Sequence, residues 1–518
     1  MRTLYEFHGG VHPTAHKTES TLAPVAQAGI PSRLVIPLHQ HAGNSAKPVV
    51  QVGEHVLKGQ AIGAPDGRFS SSVHASTSGT VAAIDMQLVA HPSGLPDLCI
   101  TIIPDGQDEW IAHSGVDISQ TTHSDLRHML RKAGVVGLGG AVFPSDMKTD
   151  AHHHKIATLV LNGAECEPYI TCDNLLMRER AADILRGAAV LRNLLHAEEV
   201  LIGIEDNKPE AIEAMRRAIP DGKHENMEVV VVPTLYPGGG AKQLIRVLTG
   251  IEVAAGVRST EMGVQCFNVA TAYSAWRAIA HGEPLISRIV TVTGNVEHPR
   301  NYEVLIGTPL NELVALAGSK TDTNRHIMGG SMMGVVLPSG TVGVTKATNC
   351  IIAVSDKLFP PPPPALPCIR CIRCAEVCPA NLQPQDLYWF AQAKNFDKAQ
   401  SIGLFDCIEC GACSYVCPSH IPLAEYYRFA KSEVRSREKD QHAADHARER
   451  HDFREQRIER EKQERAEKKA AKAAQLATEQ LSTQQSAAIA GGEARRTPVR
   501  ELEISHDPNN ANRATDGH

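Results

Sequence analysis

Cys368-Ile369-Arg370-Cys371-Ile372-Arg373-Cys374-Ala375-Glu376-Val377-Cys378-Pro379 and Cys407-Ile408-Glu409-Cys410-Gly411-Ala412-Cys413-Ser414-Tyr415-Val416-Cys417-Pro418 decide the architecture of this 518-residue chain. Both read C-x-x-C-x-x-C-x-x-x-C-P, the ligand spacing of paired 4Fe-4S clusters. Three cysteines at i, i+3 and i+6 wrap one cubane in a tight loop. The fourth, beside proline, starts a new direction and ligates the other cluster. Cys368, Cys371, Cys374 and Cys417 are therefore assigned to one cluster, and Cys407, Cys410, Cys413 and Cys378 to the second. Such centres accept single electrons, so the repeat predicts a short internal relay.

Two other uses of cysteine fit less well. Structural zinc modules use two C-x-x-C or Cys/His pairs across a longer loop. The five remaining cysteines (Cys99, Cys166, Cys172, Cys266 and Cys350) are scattered, which suits reduced packing thiols better than a disulfide framework. Between the two sets, Leu387, Phe390, Ala391 and Phe396 have near-helical apolar spacing. This segment resembles the helical ferredoxin module of respiratory enzymes rather than the small β-rich ferredoxin.

A formal net charge of −6 argues against a nucleic-acid partner. No run reaches the eighteen or so apolar residues of a membrane span, and Met1–Gly10 lacks a basic-then-apolar leader pattern. Membrane contact is expected through partners or a surface patch.

Working outward, the chain reads as a multidomain α/β protein. Residues 1–110 form a β-sandwich hybrid. Val52–Ile62 and Val73–Val81 each read as strand, turn, strand and resemble biotinyl and lipoyl carriers. The carrier lysine within a Met-Lys-Met-like turn is missing, so a structural or docking version is expected. His39–His41 reads as surface histidine rather than a metal site.

Residues 120–283 read as a Rossmann-like α/β domain. Ser124 is expected to cap a helix through Leu126, Met129 and Leu130. Ile156–Leu161, Val200–Ile204 and Met227–Val232 read as buried strands. Leu175–Leu195, Pro209–Ala218 and Ala241–Leu248 read as helices, the last ending at Gly250. This alternation implies a mostly parallel sheet covered on both faces.

Residues 284–355 read as a small β-grasp-like (SLBB-type) domain, with strands at Ile286–Val292, Val335–Leu337 and Val342–Val344 around helix Leu310–Ala317. A proline-rich linker occupies 356–365, stiffened by Pro360–Pro364. A helical two-cluster ferredoxin module follows at 366–430. The remainder, 431–518, is a charged Ala-rich tail, read as a solvated helix fading into disorder, with a partner-binding arm as the sharper alternative.

Loops at the strand ends carry the second piece of chemistry. They are Gly137-Leu138-Gly139-Gly140-Ala141-Val142-Phe143-Pro144, Asn162-Gly163-Ala164-Glu165-Cys166-Glu167-Pro168, Tyr236-Pro237-Gly238-Gly239-Gly240, and Cys266-Phe267-Asn268-Val269-Ala270-Thr271. In open α/β sheets ligands bind at such strand ends, where glycine lets backbone N–H groups approach a phosphate or flavin.

With Lys148, these loops resemble the flavin site of the NADH-oxidising subunit of respiratory complex I. With the sandwich in front and the clusters behind, residues 1–430 resemble the RnfC family of Rnf (Rsx) ion-translocating electron-transport complexes. The resemblance implies FMN on Gly137, Gly139, Gly140, Lys148, Asn162, Glu165, Tyr236, Asn268 and Thr271. It implies NAD(H) stacked on the flavin, with Phe143 and Glu167 near its adenosine end. The bland alternative for Phe143 and Tyr236 is core packing. Leu138, Val142, Ala164 and Thr149 depart from the complex I pattern, which has arginine, glycine, aspartate and tryptophan there.

The family reading implies a peripheral protein on the cytoplasmic side of the bacterial inner membrane. Electrons pass between NAD(H), FMN, two 4Fe-4S clusters, the ferredoxin-like RnfB component and membrane subunits, coupled to ion translocation. No acid–base residue is required. The alternatives are a soluble NADH-dependent corrinoid reductase and a non-catalytic iron–sulfur adapter.

Overall fold

The computed structural model describes residues 2–150, 154–219 and 226–492, the last four as backbone only. Thr158–Asn162, Glu199–Glu205, Met227–Val232 and Val264–Asn268 form an all-parallel four-stranded sheet. Numbered along the chain, its strands lie in the order three, two, one, four. Leu159, Val160, Leu161, Val200, Leu201 and Ile202 are buried, as strands covered on both faces require. Helix Cys172–Leu195 packs on helix Val269–Trp276 at backbone distance: a Cβ on Gly187 would lie 1.8 Å from the Ala272 carbonyl oxygen.

Several local expectations shift. The first helix, His123–Lys132, is capped by Thr122, whose side chain accepts from the Asp125 N–H; Ser124 lies inside the first turn. The long helix is broken at Arg180 (φ −130°), a change of direction that apolar spacing alone does not register. Gly250 ends helix Ala241–Thr249 with φ 76°, the left-handed cap that glycine accepts at little cost.

The sandwich sets Leu34–Pro37, Pro96–Pro104, Gly79–Leu88 and His55–Val56 against Lys47–Pro48, Ala61–Ala64 and Val73–His74. Leu34, Ile36, Val56, Ile62, Val81, Ile100 and Ile102 fill its interior. His41 is buried rather than on the surface. Its Nε2 lies 3.0 Å from the Ser71 N–H and 2.9 Å from the Asn44 carbonyl. Burial and the neighbouring Lys346 ammonium push it down to about 4.

The next domain is a six-stranded sheet in the order Ala26–Gln27, Arg300–Leu305, Ser287–Gly294, Cys350–Val354, Arg325–Met328, Val335–Val336. Val342–Val344 is not a strand of this sheet. Its backbone bonds go to the turn at Gly307, Thr308 and Leu310. The edge strand Ala26–Gln27 comes from the chain's beginning. Residues 2–28 cross the α/β layer: Arg2 pairs with Glu199 and Glu228, Val11 with Tyr236, and Ala26 with Tyr302.

In the cysteine-rich module, Leu387, Ala391, Phe396, Ala399 and Tyr427 are buried, from helices Pro384–Gln392 and Phe396–Ser401 and the start of helix Leu423–Gly492. From Val434 the chain is a separate unit. It is helical to Gly492 with nearly every described side chain exposed, and is laced by local pairs such as Arg457–Glu461. The tail reading for 493–518 lies outside the described residues. Among the described residues no helix is long and apolar enough to cross a membrane.

Candidate flavin and cluster sites

The strand order three, two, one, four reverses direction between the first and fourth strands. A crevice opens outside the carboxyl ends of parallel strands at such a switch point. Asn162 and Asn268 stand there as register partners. Asn268 caps the following helix, its Oδ1 accepting from the Ala270 N–H at 2.8 Å; its Nδ2 donates to Asp173 at 2.6 Å. Asn162 donates to the Gly239 carbonyl at 2.8 Å and accepts from the Ala164 N–H at 3.1 Å.

The glycine loop arches over this crevice. The Gly137 N–H donates to the Phe143 carbonyl at 2.8 Å, closing the loop, and the Leu138 N–H donates to Thr271 Oγ1 at 2.9 Å. A Cβ on Gly139 would lie 3.4 Å from the Asn268 Cβ. Gly140 (φ 110°) faces open space, a conformation L side chains avoid. Lys148 donates to the Cys266 carbonyl, and its Nζ lies 4.3 Å from the Phe267 ring centroid. Burial lowers its pKa. The Phe143 ring meets Phe69 of the sandwich edge-on, with centroids 6.4 Å apart.

The turn after Asn162 is held from beneath by Lys17. Its ammonium donates to the carbonyls of Glu165, Glu167 and Ile170 at 2.8, 2.9 and 2.5 Å. Glu165 accepts from the Asp173 and Asn174 N–H groups at 2.7 and 3.3 Å. Burial pushes its carboxyl up to about 7, against the pull of Lys17. Glu167 turns toward the six-stranded domain, where its Oε1 accepts from the Met332 and Met333 N–H groups at 2.7 and 2.8 Å. Tyr236 is buried, and its hydroxyl donates to the Cys410 carbonyl at 2.6 Å. Gly137, Gly139, Gly140, Lys148, Asn162, Asn268 and Thr271 thus gather at the switch point. Tyr236 and Glu167 point toward the cysteine module and its neighbour.

Reading the residues missed Lys17 and Asp173. Lys17 sits in an aperiodic stretch rich in Pro, Thr and His, and carries no signal of its own. Asp173 had one: an acid in the first turn of a helix, beside a strand-end loop.

The eight cysteines divide between two cavities. Cys368, Cys371, Cys374 and Cys417 line one, and Cys378, Cys407, Cys410 and Cys413 line the other. Each set mixes three residues of one loop with the last cysteine of the other. The Arg370, Glu409 and Leu382 N–H groups approach Cys368, Cys407 and Cys378 Sγ at 3.4, 3.3 and 3.4 Å. Such bonds stabilise thiolate charge. Burial otherwise disfavours that charge, pushing the Cys410 thiol up to about 12. A four-thiol donor set in an apolar cavity therefore suits a metal cluster, whose positive irons hold the thiolates ionised.

Comparison with known proteins bears on each domain. Residues 5–107 match the RnfC barrel sandwich hybrid domain, 130–277 the Nuo51 FMN-binding domain, 289–336 the SLBB domain and 367–421 a 4Fe-4S dicluster domain. FMN and 4Fe-4S clusters are the cofactors of these domains. Over 464 residues the chain is 48% identical to the RnfC component of the ion-translocating oxidoreductase complex of Edwardsiella ictaluri, covering 89% of this chain and 58% of that protein. The same component from Vibrio cholerae is 44% identical over 463 residues, covering 89% and 60%. That of Haemophilus influenzae strain PittEE is 44% identical over 462 residues, covering 89% and 71%. The chain thus spans about three-fifths of the length of the first two relatives.

Proposed function

We propose a role for this chain that starts from its membership of the RnfC family of ion-translocating oxidoreductase complexes, to which it belongs. It is the peripheral component through which electrons pass between NAD(H) and the rest of a membrane-bound complex, which couples the transfer to ion movement. The carrying observation is the hydrogen bond from Tyr236, on a switch-point loop, to the carbonyl of Cys410, on a cluster loop.

Gly137, Gly139, Gly140, Lys148, Asn162, Glu165, Asn268 and Thr271 hold FMN, and Phe143 and the loops around it receive NAD(H). Cys368, Cys371, Cys374 and Cys417 hold one 4Fe-4S cluster; Cys378, Cys407, Cys410 and Cys413 hold the other. FMN held there would supply the conversion between two-electron hydride chemistry and the single-electron chemistry of the clusters. The residues themselves bind and orient. Lys148 supplies positive charge beside the strand end, and Lys17 fixes the Glu165 turn. Tyr236 fills the space between the flavin loops and the Cys410 loop, excluding water and holding the two at fixed separation. No side chain is asked to move a proton. The partners are the ferredoxin-like RnfB component and membrane subunits on the cytoplasmic face, and the direction of flow follows the poise of the two electron pools.

The test is anaerobic purification with iron, sulfide and flavin quantified, then NADH titration followed optically and by EPR. Two cubanes, FMN and NADH-dependent reduction of both centres are expected. Two cubanes without an NADH response after added FMN would leave an electron-transfer adapter and sink this proposal.

A further inference from the structure

The two cluster loops are copies thirty-nine positions apart, as Cys368 is from Cys407. They share left-handed residues at equivalent places: Arg370 and Glu409, Ile372 and Gly411, Asn381 and His420. The same backbone therefore presents the same face twice. In the second copy that face is covered. Ile408 packs in a cluster with Val11, Tyr236 and Cys166, and Ala412 is fully buried. A Cβ on Gly411 would lie 2.7 Å from the Met332 carbonyl oxygen. Glu409 is paired with Arg428 and Lys431.

In the first copy the equivalent face is bare. Ile369 and Ile372 are 67% and 55% exposed. Arg370 and Arg373 are exposed, and neither forms an ion pair with a described residue. Ile372 is held at φ 58°, where the other copy has glycine. A β-branched residue in that conformation is strained. Exposing it brings the isolated chain no packing in return.

We propose that Ile369, Arg370, Ile372 and Arg373 form a docking surface for a redox protein with an acidic rim around its own centre. It exchanges electrons with the centre held by Cys368, Cys371, Cys374 and Cys417. The inference rests on the relay proposed above and supplies its polarity: the loop covered by Val11, Cys166 and Tyr236 faces the flavin loops, and its bare copy faces outward. Two unpaired guanidiniums beside an apolar pair select carboxylates at the rim and a desolvated contact at the centre. The chain as a whole is negative, at −6, so this basic spot also orients an acidic partner.

The test uses the full chain with clusters loaded, comparing parent, Arg370→Glu/Arg373→Glu and Ile372→Gly. The probe is an acidic two-cluster 4Fe-4S ferredoxin. Its reduction is followed by stopped flow from protein that has been chemically prereduced and freed of reductant. Because NADH is not used, a failed NADH titration sinks the relay without touching this result. Charge reversal is expected to slow second-order transfer about tenfold or more at low ionic strength and to flatten its salt dependence. Ile372→Gly is expected to slow transfer while leaving iron and sulfide content intact, since glycine suits the backbone there. An unchanged rate in the charge-reversed variant would overturn the proposal. So would equally fast transfer to basic cytochrome c. So would a parent dimer that Ile372→Gly converts to monomer in sedimentation, which would give the surface to a second copy.

Discussion

Replacing Lys17 by methionine tests whether the strap of residues 2–28 builds the flavin site. The substitution keeps side-chain length and removes the ammonium from three carbonyls, at 2.8, 2.9 and 2.5 Å. Each carbonyl left without a partner costs about 1–3 kcal/mol. Relief of the ammonium's own desolvation offsets part of this, as does water reaching a residue that is only partly buried. A net cost of about 2 kcal/mol follows, concentrated on the turn Glu165–Ile170. If the bound flavin feels all of it, its Kd rises about thirtyfold; if half, about fivefold. The charge acts as well. Lys17 is the main attraction opposing burial at Glu165, whose carboxyl stands at about 7. Without Lys17 it moves higher and is protonated at neutral pH, weakening its hold on the Asp173 and Asn174 N–H groups. Fluorescence titration of flavin-stripped protein with FMN reads the Kd, and thermal unfolding reads the turn. Lys47→Met, which removes only an exposed pair with Asp66, is the control and should change neither. A Lys17→Met protein with parental Kd and Tm would refute the reasoning.

Exchanging single cysteines tests the crossing between the two cluster loops. Cys417→Ser should lose the outer centre, leaving about half the iron in a form that NADH still reduces. Cys378→Ser should lose the inner centre and break NADH reduction of what remains; EPR after NADH addition separates the two, and the reverse pattern would mean that each loop keeps its own four ligands. Lys346 gives a pH prediction. Its fully buried ammonium donates to the Ser72 and Gly134 carbonyls at 2.9 and 2.8 Å, and burial pushes it down to about 7 from an unfolded value of 10.5. Between those values the unfolded chain binds more protons, so stability rises with pH by at most about 1.4 kcal/mol per unit. Lys346→Met should flatten denaturation midpoints measured at pH 7, 8.5 and 10.

Much of the α/β layer was legible because its signals are local. Met227–Val232 is a strand with the expected bounds, and Gly250 closes its helix where a left-handed cap was read. The six-stranded sheet was half legible. Ser287–Gly294 carries the β-rich stretch Ile289-Val290-Thr291-Val292, but Arg300–Leu305 and Arg325–Met328 mix charged and apolar residues and gave no alternation to follow. The two-residue strand Ala26–Gln27 is too short for any period, so the strap that brings Lys17 under the flavin turn stayed hidden. The site shows the same division. Spacing placed eight cysteines, and a four-strand sheet order placed Asn162 beside Asn268. Tyr236, which the resemblance makes a flavin contact, also gives its hydroxyl to the Cys410 carbonyl, a bond between residues 174 positions apart that no window of sequence contains. Which cluster loop faces the flavin was nevertheless written in residue size. Gly411 and Ala412 admit a neighbouring backbone; Ile372 and Arg373, their counterparts, keep one away. Two matching ligand frames that differ in bulk and charge beside the cysteines can therefore set the order of the proposed relay, since the slimmer one is the one packed against the switch-point loops.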